Sequence, residues 1–418
     1  MAIFINQIII DKLRHLENII IDTSDTNNKK NIIITGKNGV GKTTLLESIK
    51  QFLKSLEDNI YYGITFEYKN SIEYLKKRID EIENGINVKA DNPLEKSRCI
   101  ESMKNLQSAI DKYEKGIKVK FNDDTDLINK FKNGDFILAY FKARRDSKVI
   151  VPEVVSTVEL ENNYSIEADI DTKFLDYLVY LKTQQSFARN EDDMETVEAI
   201  GKWFDKFQDS LRNIFDDESL LLKFDYRKLN FKIQQQGREE YGLNELSDGF
   251  SAVLDIVMNL ILRMEKTRKG FAYDKEGIVL IDEVETHLHI ELQKKILPFL
   301  TGFFPNIQFI VTTHSPFVLN SIEDVVIYDL EKQIKVEDLS SSSYEGIVEG
   351  YFNVDQYSNE AKKKLYRYEE LVEKIGKTEE EESEEFDLRQ YFKGIPESLA
   401  SEIVFEFKKI ELSRLRSK

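Results

Sequence analysis

Nine residues, Gly36-Lys37-Asn38-Gly39-Val40-Gly41-Lys42-Thr43-Thr44, fit the pattern G-x-x-x-x-G-K-[ST] and carry one further threonine. Asn31 to Thr35 read as a buried strand, and Thr44 to Leu53 have the apolar spacing of a helix, so the glycines stand where a strand turns abruptly into a helix. Gly36, Gly39 and Gly41 let the backbone curl so that its N–H groups, with those of Asn38 and Thr44, point at a β-phosphate. The helix N-terminus adds partial positive charge at the same place. Lys42 is expected to bridge β- and γ-phosphates and the Thr43 hydroxyl to hold Mg²⁺, which makes ATP and Mg²⁺ the expected cofactors.

With 418 residues the chain can form one large α/β domain with insertions, or two domains. Its 41% hydrophobic and 32% charged residues have the balance of a soluble globular protein. No apolar run approaches the ~18 residues of a membrane span, and the first residues lack the pattern of a signal peptide, so a cytoplasmic protein with no membrane partner is expected. The single cysteine, Cys99, leaves no internal disulfide and no cysteine-based zinc site. A net charge of −17 argues against a surface that coats DNA as a whole. Local basic patches remain, as at Lys142, Arg144, Arg145 and Lys148, and leave DNA contact open through them or through a partner.

Isoleucine-rich runs between residues 3 and 35, separated by polar turns, predict an antiparallel hairpin ahead of the strand that enters the phosphate loop. Arg14 and His15 fall in its first turn, either as a base-contacting pair or as an exposed turn. Over 67–118 the apolar residues fall three and four apart: Ile72, Leu75, Ile79 and Ile82 make one seam, and Met103, Leu106, Ile110, Tyr113 and Ile117 another. With breaks at Asn84-Gly85 and Asp91-Asn92-Pro93, this predicts a short helical hairpin. Phe136 to Phe141 return to strand character and end in the basic turn, where Arg144 or Arg145 either touches a phosphate or partner or is simply solvated. Helices are expected over 170–216 and paired strands over 220–235.

Three further stretches carry chemistry. Leu246-Ser247-Asp248-Gly249-Phe250 opens an apolar helix, with Ser247 placed as N-cap and Gly249 leaving its N–H open to an anion. Gly277 to Ile281 describe a strand buried on both faces, with Asp282 and Glu283 at its end. Asp282 is expected to share the Mg²⁺ with Thr43, and Glu283 to orient or deprotonate the attacking water. Glu285, His287 and His289 follow; they read as an ordinary start of a helix rather than a metal site, for lack of further ligands. Gln308 to Thr312 form another buried strand, and His314 after it is placed to donate a hydrogen bond to a γ-phosphate.

In this order, GKNGVGKTT, LSDGF, VLIDEVETHLH and TTHSP resemble the ATPase head of the ABC and structural-maintenance-of-chromosomes class, particularly the OLD-like and RecF-like AAA-family ATPases of bacteria. The resemblance covers residues 1–335 and implies an α/β P-loop NTPase head with an antiparallel β subdomain, a helical lobe and the inserted hairpin. Its expected division is 1–66 and 119–335 for the head, 67–118 for the hairpin and 336–418 for a small C-terminal extension. In such heads two subunits sandwich ATP, so the resemblance implies a homodimer or larger homo-oligomer in which Ser247 and Gly249 meet the γ-phosphate held by the other subunit. The stretch departs from the usual LSGGQ at Asp248 and Phe250.

Residues 336–418 show none of the spaced acidic groups of the nuclease domain that follows the head in OLD proteins, and the acidic run Glu379 to Glu385 reads as a solvated linker. The chain resembles the ATPase subunits of two-gene bacterial anti-phage systems, above all the PtuA family of Septu systems, whose partner is an HNH nuclease. A RecF-like repair ATPase and the ATPase subunit of PARIS systems are the alternatives.

Overall fold

The structure, a computed structural model, describes residues 2–23, 28–84, 93–145, 149–265, 275–337, 339, 346–347, 359–395 and 401–416. In chain order its elements are β1 (Ile5–Leu13), β2 (Leu16–Asp22), β3 (Asn31–Thr35), α1 (Lys42–Glu57), α2 (Tyr68–Glu83), α3 (Pro93–Glu114), β4 (Ile117–Phe121), α4 (Asp124–Asn133) and β5 (Phe136–Phe141). There follow α5 (Phe174–Asn190), α6 (Met194–Phe215), β6 (Leu221–Asp225), β7 (Asn230–Gln234), β8 (Tyr241–Gly242), α7 (Asp248–Met264), β9 (Glu276–Ile281) and α8 (Ile290–Phe303). Then come β10 (Ile307–Thr312), α9 (Pro316–Leu319), β11 (Val325–Asp329), β12 (Ile334–Glu337), α10 (Asn359–Glu373), α11 (Glu379–Lys393) and α12 (Ser401–Arg416). The chain divides into two compact units, within residues 1–341 and 342–418.

Burial sorts the isoleucine runs into two sheets. β1 and β2 mix buried with accessible positions and pair antiparallel, whereas β3 is buried throughout and pairs in parallel with β10 and β11. A strand covered on one face alternates; a strand covered on both must be apolar throughout. The main sheet runs β12-β11-β3-β10-β9-β5, parallel except for the antiparallel edge strand β12. The ends of β3, β10, β9 and β5 therefore open on one edge, where an open α/β sheet takes its ligand. Those ends carry the phosphate loop, His314, Asp282 and the basic turn.

The inserted hairpin has arms of 16 and 22 residues, α2 and α3. Ion pairs open to solvent on at least one side cross it at Lys69–Glu114, Arg78–Glu95 and Lys96–Glu83, 2.7 to 2.9 Å long, each worth about 1 kcal/mol or less. The break at Asn84 is the C-cap of α2; residues 85–92 lie outside the described residues. Ile117, expected in the helical seam, is instead the first residue of β4 and pairs with Ile10 of β1. Lys115 and Gly116, both at positive φ, stop α3 one turn earlier, so the boundary expected at residue 118 cuts through a strand. The helical lobe packs α5 on α6 through Phe174 against Phe207 and Tyr177 against Trp203.

The second unit buries Tyr368, Phe392, Ile403, Phe407 and Ile410 among α10, α11 and α12. Its acidic run is not a linker. Glu379 to Glu385 form the first two turns of α11, where the helix N-terminus favours negative charge, and Thr378 with Glu381 makes a capping box. Arg367 pairs with Glu384 at 2.8 Å, and Glu385, 6% exposed, pairs with Lys377 and Arg414. Arg414 belongs to this network and pairs with Glu411 as well. Thr378→Ala is expected to cost ~1 kcal/mol of helix stability, read as faster amide exchange across 379–393; a solvated linker would show no change.

No described helix is long and apolar enough to cross a membrane.

Candidate nucleotide-binding site

Gly36, Gly39 and Gly41 sit at φ +133°, +82° and +100°, a backbone that L side chains rarely adopt, so the loop between β3 and α1 is available only to glycine at these positions. Lys42 is buried in the first turn of α1, and its ammonium donates to the Gly36 and Lys37 carbonyls at 2.9 and 3.1 Å, within the curve of the loop. Asn38 and Thr43 are exposed and Thr44 half-buried. The turn between β1 and β2 leans on the loop, with His15 Nε2 at 3.0 Å from the Val40 carbonyl oxygen, while Arg14 is exposed.

Asp282 is buried at the end of β9, and its Oδ1 accepts from the Thr43 hydroxyl at 3.2 Å and the Thr312 hydroxyl at 2.6 Å. A hydroxyl and a carboxylate oxygen side by side are hard donors of the kind Mg²⁺ takes, so the residues present fit that ion. Glu283 follows at φ +43°, its N–H donating to Thr312 Oγ1 at 2.7 Å and its carboxylate accepting from Thr286 Oγ1 at 3.3 Å. His314 donates its backbone N–H to Glu285, and its Nδ1 lies 3.5 Å from the Lys42 ammonium. An ammonium can only donate, so Nδ1 accepts and the ring proton sits on Nε2.

Burial pushes the Lys42 ammonium below its ordinary range, opposed by Glu283, Glu285, Asp282 and Asp329. Burial first, and then Lys42, push His314 below its ordinary value, so the imidazole is neutral at pH 7 and keeps one N–H to donate. Lys42, Thr43, Asp282, Glu283 and His314, drawn from three distant segments, thus meet at one edge of the sheet.

Ser247 and Gly249 are not joined to that group by a hydrogen bond among the described residues. Ser247 stands at the N-cap position of α7, exposed, but its side chain makes no cap bond. Gly249 is buried, and a Cβ there would come within 2.9 Å of the His287 carbonyl oxygen, so α7 begins in close contact with the loop after β9. Phe250, where LSGGQ would have glutamine, stacks on Phe215 at the end of α6, with ring centroids 4.0 Å apart. His287 turns the chain at φ +67°, and His289 takes the N-cap position of α8. Among the described residues, the carboxylate and histidine groups close enough to share an ion are Asp169, Asp171 and Asp255, without either histidine.

Arg145 departs from both readings of the basic turn. It is 7% exposed and points neither to solvent nor at the phosphate loop; its guanidinium donates to backbone carbonyls of the loop after β9. Arg144 is exposed, and Lys148 lies outside the described residues. Only the basic character of the turn was visible in the sequence; a strand end beside a carboxylate-bearing strand is the one signal that could have pointed to a buried arginine.

The family model described as "AAA domain, putative AbiEii toxin, Type IV TA system" matches residues 32–320. The chain is 26% identical over 327 residues to "Septu protein PtuA" of Bacillus mycoides (strain KBAB4), covering 77% of this chain and 39% of that protein. It is 25% identical over 408 residues to "Retron Vc95 probable ATPase" of Vibrio cholerae serotype O1 biovar El Tor, covering 76% of this chain and 73% of that protein. A second "Septu protein PtuA", of Bacillus thuringiensis, is 23% identical over 379 residues, covering 86% of each.

Proposed function

The chain belongs to this AAA-domain family, and from that membership and the site geometry we propose that it is an ATP-binding and ATP-hydrolysing regulatory subunit of a bacterial anti-phage complex that controls a separate HNH-type nuclease. One observation carries the ATPase part. Lys42 reaches His314 and its neighbour Thr43 reaches Asp282 although 272 and 239 residues separate the partners, an arrangement with no use for the β-sheet itself.

In this reading the loop N–H groups and Lys42 bind the triphosphate, and Thr43 and Asp282 hold Mg²⁺. The ion supplies neutralisation of charge on the phosphate oxygens. Glu283 accepts the proton of the attacking water, and the His314 Nε2–H donates to the γ-phosphate. A second copy closes the site by bringing its Ser247 and the start of its α7 to that phosphate. Asp248, exposed in the first turn of α7, places a like charge beside the phosphate and makes the closed pair weaker than one with glycine there.

The nuclease partner is supported by the two Septu relatives. The retron ATPase, at nearly the same identity, supports a second reading in which the same switch serves a different effector. The test uses the purified chain with ATP and Mg²⁺ or Mn²⁺, alone and together with the product of the neighbouring gene. Plasmid DNA is expected to stay intact with the chain alone and to be cut when an HNH neighbour is added. Robust cutting by the chain alone, abolished by a point change within 342–418, would overturn the proposal; a neighbour of another class would turn it toward the second reading.

A further inference from the structure

Glu283 holds a backbone conformation that is uncommon for a non-glycine residue. At φ +43° it costs on the order of 1 to 3 kcal/mol, and such strain persists where neighbours over-determine the geometry. Its N–H is held by Thr312 Oγ1 at 2.7 Å. Its carbonyl is held from the other side by Arg145 Nη2 at 3.3 Å. The same guanidinium spans the turn: Nη1 donates to the Asp282 carbonyl at 3.3 Å, and Nη2 also reaches the carbonyls of Val284 at 3.2 Å and Thr286 at 3.5 Å. A further bond from Nη1 to the Lys142 carbonyl, at 3.3 Å, ties it to its own turn at the end of β5.

Such a fan of carbonyls from four residues of one turn is a task for a planar, multi-donor cation; a single ammonium has neither the reach nor the geometry. Burial pushes the Arg145 guanidinium below its ordinary range; Asp255 of α7 is itself pushed up to about 8 by burial and by Asp171 and Asp169, so it lends little charge at pH 7. α7 also touches this turn at its beginning, where Gly249 abuts the His287 carbonyl. The start of α7 thus meets the loop after Glu283 by close backbone approach.

We infer that Arg145 is a positioning residue for hydrolysis, holding the loop of Asp282 to Thr286 in the strained form that aims Glu283. Its guanidinium bonds to backbone carbonyls, so it acts through Glu283. The inference rests on the ATPase reading, but the loop's order can be measured without turnover.

Arg145→Lys, which keeps charge and most of the volume, and Arg145→Ala are compared with the unaltered protein. Amide exchange over 282–288 is expected to rise by about tenfold in both, while exchange over β3 and β10 stays as it was. Affinity for a non-hydrolysable ATP analogue is expected to hold within about threefold and kcat to fall by about tenfold or more with KM little changed. Lysine is expected not to rescue. If Arg145→Ala does not fold, Arg145→Lys alone decides. Unchanged exchange over 282–288, an equal rise across the whole sheet, or an unaltered kcat in a variant whose loop has loosened would each overturn the inference. An unaltered protein that hydrolyses no ATP would overturn the functional reading instead, and exchange over 282–288 would still decide whether Arg145 orders the loop.

Discussion

Lys42→Ala is expected to reduce affinity for ATP analogues by about a hundredfold or more, close to 3 kcal/mol, the scale on which removing one charge-assisted partner of a buried ionic contact acts. The size follows from the surroundings of the ammonium. It is buried, so its charge is poorly screened, and it already lies within the curve of the phosphate loop, bonded to the Gly36 and Lys37 carbonyls. Four carboxylates, Glu283, Glu285, Asp282 and Asp329, favour its charge. Alanine would leave their negative field to face an incoming triphosphate alone, so the loss is larger than that of a single surface contact. Isothermal titration with a non-hydrolysable analogue measures it, with circular dichroism to show that the sheet is retained. Wild-type-like affinity in the variant would remove this loop from the proposed function.

Glu283→Gln is expected to act on the other half of the reaction. Glutamine has the same length, can accept the Thr286 hydroxyl as glutamate does at 3.3 Å, and leaves the backbone bond to Thr312 in place. It cannot take a proton from water. Turnover should therefore fall by about 10² to 10⁴, the usual worth of a positioned general base, while analogue affinity changes by no more than a few fold. With hydrolysis blocked, the ATP-bound pair of heads should accumulate, and light scattering with ATP should report twice the mass seen without it. Unchanged turnover would refute the role of Glu283. A strict monomer with and without ATP would leave Ser247 no phosphate to meet and would refute the sandwich.

The two substitutions differ in what each leaves behind. The first removes binding and with it every later step; the second keeps binding and stops the cycle at its loaded state. A partner nuclease controlled by occupancy would respond to them oppositely, and one controlled by turnover would respond to both alike.

Much of the candidate site's local structure is legible in the sequence, because its parts are local. A strand, a turn that needs positive φ and a helix start are specified by residues next to one another, so 31–53 could be read from the glycines and the isoleucines alone. The same holds for β9 and β10, whose unbroken apolar residues are explained only by burial on both faces, with Asp282 and His314 at or just beyond their ends. The helical lobe and its paired strands followed from periodicity, as did α2 and most of α3.

The failures share a cause. Ile117 kept the helical period after Tyr113, yet pairing with Ile10, far along the chain, outweighed one more turn of helix. Glu379 to Glu385 looked solvated because acids in a row repel; in the folded unit a helix N-terminus, Lys377 and two arginines absorb that charge. Phe250 was a departure from a motif until Phe215 supplied its stacking partner.

Arg145 marks the boundary most sharply. The sequence by itself determined that a strand ends in a basic turn, since both are matters of adjacent residues. Only the tertiary structure decided that the second arginine is buried against a loop 137 to 141 residues later in the chain. The reason is physical: a guanidinium is taken out of water only where other polar groups replace its hydration, and here they are carbonyls of the loop after β9, whose closeness in space no one-dimensional pattern contains.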